Sequence, residues 1–203
     1  MRLFLVRHGE TDHNKNRVIM GHLPTPLNET GKNQAKVLAD ELKDKGIQVI
    51  YSSDLVRAAE TAEIISSKLD LPVNYTDKLR EHTLGDLDGI GISEMLDEMD
   101  SLKEFDDLMT KHNGELTKDF INRVWNEFRD IARENKEKDF VLIVSHGGCI
   151  RSIIAKILDA SELVFDNIKQ YNCCINIIDY IESEGKEKFS IDLVNDICHF
   201  AKK

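Results

Sequence analysis

Two histidines stand at matching places, each after a run of apolar residues and each before a glycine. Arg7-His8-Gly9 follows Leu3-Phe4-Leu5-Val6, and His146-Gly147-Gly148 follows Val141-Leu142-Ile143-Val144-Ser145. A third segment, Ser52-Ser53-Asp54, ends another short apolar run and places Arg57 on the first turn of the helix expected next. Imidazole suits nucleophilic and proton-transfer chemistry near neutral pH. Guanidinium binds phosphate through a planar fork of donors. Two arginines and two histidines at strand ends predict an anion site of the phosphate type, because the following helix N-termini point free N–H groups at the same crevice. Two other readings stay open on these residues alone. The histidines could be unrelated structural residues. They could also bind a metal ion, although the adjacent arginines would repel a cation and no third ligand stands at matching spacing.

The elements that must position these side chains alternate along the chain. Residues 3–6 read as a strand covered on both faces, because the apolar run is unbroken. Asn28 reads as the N-cap of a helix whose stripe is Ala35, Leu38, Ala39 and Leu42. A strand over 49–51 leads to a second helix with the stripe Leu55, Ala58, Ala59, Ala62, Ile65 and Leu69, stopped before Pro72. Residues 73–75 read as a short strand. A long helix over 117–134 turns Ile121, Val124, Phe128 and Ile131 inward, and precedes a strand over 140–144, a helix over 148–158 and strands near 173–180 and 189–194. This alternation predicts an α/β chain, a three-layer α/β/α sandwich with a central, mostly parallel but mixed sheet. The expected organisation is a single domain over 1–203, with a helical cap excursion over about 83–115. Between Gly91 and Asp107 that excursion carries Glu94, Asp97, Glu98, Asp100, Glu104, Asp106 and Asp107 against Lys103, and Met95, Met99 and Leu102 keep a helical period.

Composition narrows the partners. The 203 residues carry a formal charge of -10 and a pI near 5.2, which argues against nucleic acid or an anionic membrane, both of which demand a basic face. No apolar run approaches the roughly 20 residues that span a bilayer. Cys149, Cys173, Cys174 and Cys198 have neither metal-site spacing nor the look of a disulfide framework. With no leader apparent before the first strand, a reducing cytoplasm is the expected compartment. The expected partner is a small phosphorylated metabolite; oligomeric state is left open.

The chain resembles the histidine phosphatase superfamily, also called the phosphoglycerate mutase-like family. The resemblance rests on Leu5-Val6-Arg7-His8-Gly9-Glu10-Thr11 with Asn14, on Leu27-Asn28-Glu29-Thr30-Gly31 with Gln34-Ala35, and on Tyr51-Ser52-Ser53-Asp54-Leu55-Val56-Arg57-Ala58-Ala59-Glu60-Thr61-Ala62. It continues with Leu79-Arg80-Glu81 before Gly85 and Gly89, and closes with Val144-Ser145-His146-Gly147-Gly148. The ending from Val194-Asn195-Asp196 to Cys198-His199-Phe200 looks like that of family phosphatases acting on α-ribazole phosphate or on many monoesters. The resemblance implies that His8 attacks phosphorus in line to form a phosphohistidine. It implies that Arg7, Arg57 and His146 hold the equatorial oxygens, and that Asn14 and Gly147 join them. Glu81 would protonate the leaving oxygen and then deprotonate the attacking water. That role requires a protonated carboxyl when substrate binds, a state that an anionic phosphate favours. Gly21 and His22 lie in a loop that lines the pocket in relatives. No metal and no cofactor are implied.

Other motifs carry less. His13, His82, His112 and His199 read as surface or loop histidines, with only His82 near enough to Glu81 to meet substrate. Asp86-Leu87-Asp88-Gly89 resembles an aspartyl-phosphatase signature without the apolar strand that should precede it; Asp88 reads instead as a stand-in for the glutamate common before that glycine in relatives. No cysteine is followed by arginine six residues on. Mutases of the family carry a basic insertion after the general acid, whereas this region is short and acidic. Hydrolysis of a small phosphomonoester is therefore favoured over a cofactor-dependent mutase, and both over a non-catalytic scaffold that only binds phospho-ligands.

Overall fold

The computed structural model describes residues 1–96, 102–160 and 167–201. A six-stranded sheet is built from β1 (Arg2–Arg7), β2 (Val49–Ser53), β3 (Val73–Thr76), β4 (Phe140–Ser145), β5 (Ile175–Ser183) and β6 (Lys186–Asp196). Its order is β3-β2-β4-β1-β5-β6. β3, β2, β4 and β1 run parallel, and β5 and β6 join antiparallel, so the sheet is mixed as expected. Among the described residues the helices are α1 (Asp12–Asn16), α2 (Glu29–Leu42), α3 (Val56–Leu69), α4 (Ile92–Leu96), α5 (Leu102–Lys111), α6 (Thr117–Glu134) and α7 (Gly147–Ile157).

Strand periodicity decides the layers. Leu3, Leu5, Val141 and Ile143 point to one face and pack with Val124, Phe128 and Ile131 of α6 and Ile150 and Ile153 of α7. Phe4, Val6, Leu142 and Val144 point to the other and pack with Leu38 and Leu42 of α2 and Ala58, Ala62 and Ile65 of α3. Alternate residues serve opposite faces and both faces are covered, which is why these strands read as continuous apolar runs. Each fully buried Leu, Ile, Val or Phe side chain contributes roughly 1.5–3 kcal/mol, and β1 and β4 place eight such residues in the core.

Register places the chemistry. Arg7 pairs with Ser145 and Ser52 with Val144, while Ser53 pairs with Thr76. Four parallel strands thus end at one level, delivering His8, Ser53 and His146 to a common edge. β3 reaches that edge through a short 3-10 turn, Asp77–Leu79, that leads into Arg80 and Glu81.

Several local expectations are refined. The Asn28 side chain accepts from Gly31 N (2.8 Å) and starts α2. The β5–β6 hairpin extends further at its turn than the alternation suggested, with Lys186 and Lys188 exposed on the edge strand, the usual guard against edge pairing. The five-residue α1, capped reciprocally by Thr11 and Asn14, was not anticipated, because it is too short for a periodic signal. Of the excursion, α4 and α5 are helical and Gly85–Leu87 forms a 3-10 turn, while its other described residues are turn, loop or an isolated bridge; Asp97, Glu98, Met99 and Asp100 lie outside the described residues. Asp106 does not belong to a free acidic face. Its Oδ1 accepts from the Thr117 N–H (3.0 Å) and hydroxyl (2.7 Å), capping α6, whose own N-cap, Leu116, has no side-chain acceptor. Two of the histidines read as surface residues are packed. His199 is only 3% exposed with its ring 4.2 Å from that of Phe200. His82 stacks on Phe120 (4.6 Å between ring centres, 9° apart) and its Nε2 lies 2.6 Å from the Glu115 carbonyl. No helix among the described residues is long and apolar enough to cross a membrane.

Candidate active site

His8 lies just past the end of β1 and is 1% exposed. Its Nδ1 lies 2.7 Å from the Gly9 carbonyl oxygen. A carbonyl can only accept, so Nδ1 carries the proton and Nε2 keeps its lone pair. Burial, and then the positive charges of Arg57 and Arg7, hold the His8 imidazolium well below the ordinary histidine range, against the Gly9 hydrogen bond that favours it. The ring is therefore neutral near pH 7, the form that can attack. The His146 ring lies 5.2 Å away, centre to centre. It is fully buried and is kept neutral by burial, Arg57 and the other nearby cations. Its Nε2 is 2.8 Å from Ser53 Oγ, which already accepts from Leu55 N (3.3 Å). The Ser53 hydroxyl can then donate to Nε2, leaving Nδ1 as an N–H donor.

The arginines are held by backbone carbonyls, not by carboxylates. Arg7 Nη1 donates to Gln170 O (2.5 Å). Arg57, fully buried, donates from Nη2 to Gly21 O (2.8 Å) and from Nη1 to Leu23 O (3.3 Å). Burial pulls the Arg57 guanidinium down to about 10, against the Glu81 carboxylate that holds it up. Both remain cationic at neutral pH. Arg7 Nε, Arg57 Nε and His146 Nδ1 are buried without a hydrogen-bond partner. Leaving a buried donor unsatisfied costs about 1–3 kcal/mol, more when it is charged, so three of them beside one neutral imidazole mark a place for an anion.

Glu81 approaches from the end of the β3 segment. Its Oε2 accepts from Gly148 N (2.9 Å) and its Oε1 from His82 N (3.0 Å). The α7 N-terminus can bring its amide this close because residue 148 has no side chain: a Cβ there would lie 2.2 Å from Glu81 Oε1. Gly147 opens the first turn of α7, and a Cβ at that position would lie 3.5 Å from Arg7 Nε. Asn14 stands at the rim, its Oδ1 taken by Thr11 N (3.2 Å) and Asn172 Nδ2 (3.1 Å), which leaves its NH2 as the group for a ligand. His22 Nε2 lies 2.8 Å from the Glu81 carbonyl oxygen, so that nitrogen ties two loops together. A cleft of about 370 Å³ flanks the Glu81 segment, lined among others by His22, Arg80, Thr83, Glu115 and Arg123. Its arginines are already paired, Arg80 with Asp54 and Arg123 with Glu115. Among the described residues no three His, Cys, Asp or Glu side chains are grouped to hold a metal ion.

Residues 3–196 match the model of the histidine phosphatase superfamily (branch 1). The chain belongs to that superfamily. A broad-specificity phosphatase of Saccharomyces cerevisiae is 31% identical, covering 98% of this chain and 87% of the relative. A relative named "Probable phosphoglycerate mutase GpmB" from Escherichia coli is also 31% identical, over 98% of this chain and 94% of its own length. The solved α-ribazole phosphatase of Shigella flexneri superposes with a TM-score of 0.80 at 29% identity, covering 97% of this chain and 96% of that one.

Within this histidine phosphatase, the sequence motifs located His8, Arg7, Arg57, His146 and Glu81, and the fold brings all five to one sheet edge. Sequence reasoning missed the residues that hold them. Thr61 Oγ1 accepts from Gly9 N (3.0 Å) and donates to Arg57 O (2.7 Å), bridging the two loops. Asn172 Nδ2 donates to His8 O (3.0 Å). Arg151, one helical turn after Gly147, leans back toward the helix start as helical side chains do. Its Nε is buried without a partner, and its charge adds to the burial that lowers the Arg7 pKa. Its only signal in the sequence was the i+4 spacing from Gly147.

Proposed function

We propose that this phosphatase hydrolyses small phosphomonoesters in two steps, with His8 as the nucleophile. The observation that carries the reading is the set of three unpartnered buried donors, Arg7 Nε, Arg57 Nε and His146 Nδ1, around an imidazole whose Nδ1 is engaged and whose Nε2 is free. A phosphate seated among them would satisfy all three donors and present phosphorus to Nε2. In-line attack forms the N–P bond as the ester P–O bond breaks, and Glu81 gives its proton to the departing oxygen. Water then attacks the phosphohistidine, passing a proton to Glu81 and releasing phosphate. The arginine charges do the electrostatic work in both steps, so no metal is required. The buried thiols of Cys149, Cys173 and Cys174 fit a reducing compartment such as the cytoplasm.

The flanking cleft favours hydrolysis over mutase chemistry. Its arginines are neutralised by Asp54 and Glu115, so it suits a polar, near-neutral leaving group better than the second phosphate of a bisphosphate. Turnover of a panel of phosphomonoesters in EDTA tests the reading. The wild type should release phosphate while His8→Ala falls at least about 10³-fold, as loss of a nucleophile requires, and acid-labile radiolabel should attach to the wild type only. Wild-type turnover no greater than that of His8→Ala would sink it. Rapid formation of 2-phosphoglycerate from 3-phosphoglycerate and a trace of bisphosphate would favour the mutase instead.

A further inference from the structure

The segments that carry the Arg57 clamp and Glu81 meet at a carboxylate, Asp88, whose hydrogen bonds go to His22, Thr83 and Leu84. Asp88 Oδ2 accepts from the His22 N–H (2.9 Å) and the Thr83 hydroxyl (3.0 Å), and Oδ1 accepts from the Leu84 N–H (2.8 Å). It fills a notch that only glycine leaves open: Gly21 has φ +41, and a Cβ there would lie 1.8 Å from Asp88 Oδ1. The two segments bridged are those that place the reacting groups. The carbonyls of Gly21 and Leu23 hold the two Nη atoms of Arg57, and between them His22 reaches the Glu81 carbonyl. Thr83 and Leu84 follow Glu81 closely in the chain.

We propose that Asp88 is a positioning residue that couples the Arg57 phosphate clamp to the Glu81 proton donor. The inference rests on the proposal that both groups serve one phosphate. The geometry separates this role from simple support of the fold. The stretches adjoining those segments, 17–19 and 89–92, are already joined by backbone hydrogen bonds, Gly89 N to Ile19 O (2.9 Å), Ile19 N to Ile90 O (2.9 Å) and Ile92 N to Arg17 O (2.9 Å). Those bonds hold the two stretches of chain together without Asp88. What Asp88 adds is the orientation of residues 21–23 and 83–84, where three donors converge on two oxygens. An amide cannot replace it, because one end of Asn would turn N–H toward N–H.

The test compares Asp88→Asn, Asp88→Glu and Thr83→Val with the wild type, reading thermal midpoint, inhibition by inorganic phosphate, and the rate of enzyme phosphorylation by an alkyl and by an aryl phosphate. Asp88→Asn should keep its fold, bind phosphate about tenfold more weakly and phosphorylate from the alkyl ester about 10- to 100-fold more slowly, in line with ångström-scale misplacement. The aryl ester, whose leaving group needs little protonation, should lose only the clamp share. Asp88→Glu, which keeps both acceptors, should restore much of the loss, and Thr83→Val, which removes one of three donors, should fall between. Equal losses on both esters, unchanged phosphate inhibition, or a fall in thermal midpoint alone would overturn the coupling. A wild type with no turnover at all would instead fail the phosphatase reading, so the two outcomes are distinct.

Discussion

Replacing Gly148 with alanine isolates the Glu81 carboxyl without touching it chemically. Gly148 sits in the first turn of α7 and is not among the residues of positive φ. Alanine therefore meets no backbone strain, and its helix propensity is up to about 1 kcal/mol better than that of glycine. The added Cβ would lie 2.2 Å from Glu81 Oε1 and 3.0 Å from Cδ. Something must move, and the free end of the Glu81 side chain moves most easily. Its departure forfeits the Gly148 N–H bond of 2.9 Å. A hydrogen bond to a neutral carboxyl, the form that donates the proton, is worth about 0.5–1.5 kcal/mol, and at about 1.36 kcal/mol per tenfold the loss amounts to roughly 2- to 13-fold. Rapid quench with an alkyl phosphate should show phosphorylation slowed by that factor. With 4-nitrophenyl phosphate, phosphorylation should remain fast while water attack slows, giving a burst of about one nitrophenol per site before slow turnover. The thermal midpoint should hold or rise. A Gly148→Ala variant that turns over alkyl phosphates within about twofold of the wild type would refute the placement of Glu81 as proton donor.

Two further predictions use the burial of the charged groups. His8 and His146 are buried and neutral in the folded state, with folded pKa values below the unfolded value near 6.5. The unfolded chain then binds more protons below that value, so stability is lost as the pH falls through about 6.5 toward 5.5, by up to about 1.4 kcal/mol per pH unit for each histidine. Urea midpoints across that range should show this slope, and His8→Asn should remove one histidine's share; an unchanged slope in the variant would contradict it. Arg57→Lys keeps the charge but cannot span the Gly21 and Leu23 carbonyls while leaving Nε free. It should lower kcat/KM about 10²- to 10³-fold, and steady-state kinetics showing less than about a threefold effect would count against the clamp.

Much of this protein is legible in its sequence. The unbroken apolar runs before His8 and His146 required strands covered on both faces, hence helices on both sides of a sheet. The i, i+3, i+4 stripe from Ala35 to Leu42 required a helix, and Asn28 its start. The family motifs singled out His8, the two arginines, His146 and Glu81 as candidate site residues. Such features are local: a strand period, a cap or a glycine after histidine is written in consecutive residues. The bonds that make the histidine edge a site are not local. Asp88 to His22 crosses 66 residues, His146 to Ser53 crosses 93 and Asn172 to His8 crosses 164. The same holds for Asp106, which looked like one more acid on a solvated face and instead caps a neighbouring helix. For His199, a polar residue near the chain's end gave no hint of the ring contact that buries it. Types and spacing therefore decided which chemistry the chain can attempt. Sheet register and long-range packing decided that Arg7, His8, Arg57, Glu81 and His146 would share one edge, because only they fix where residues distant in sequence come to rest.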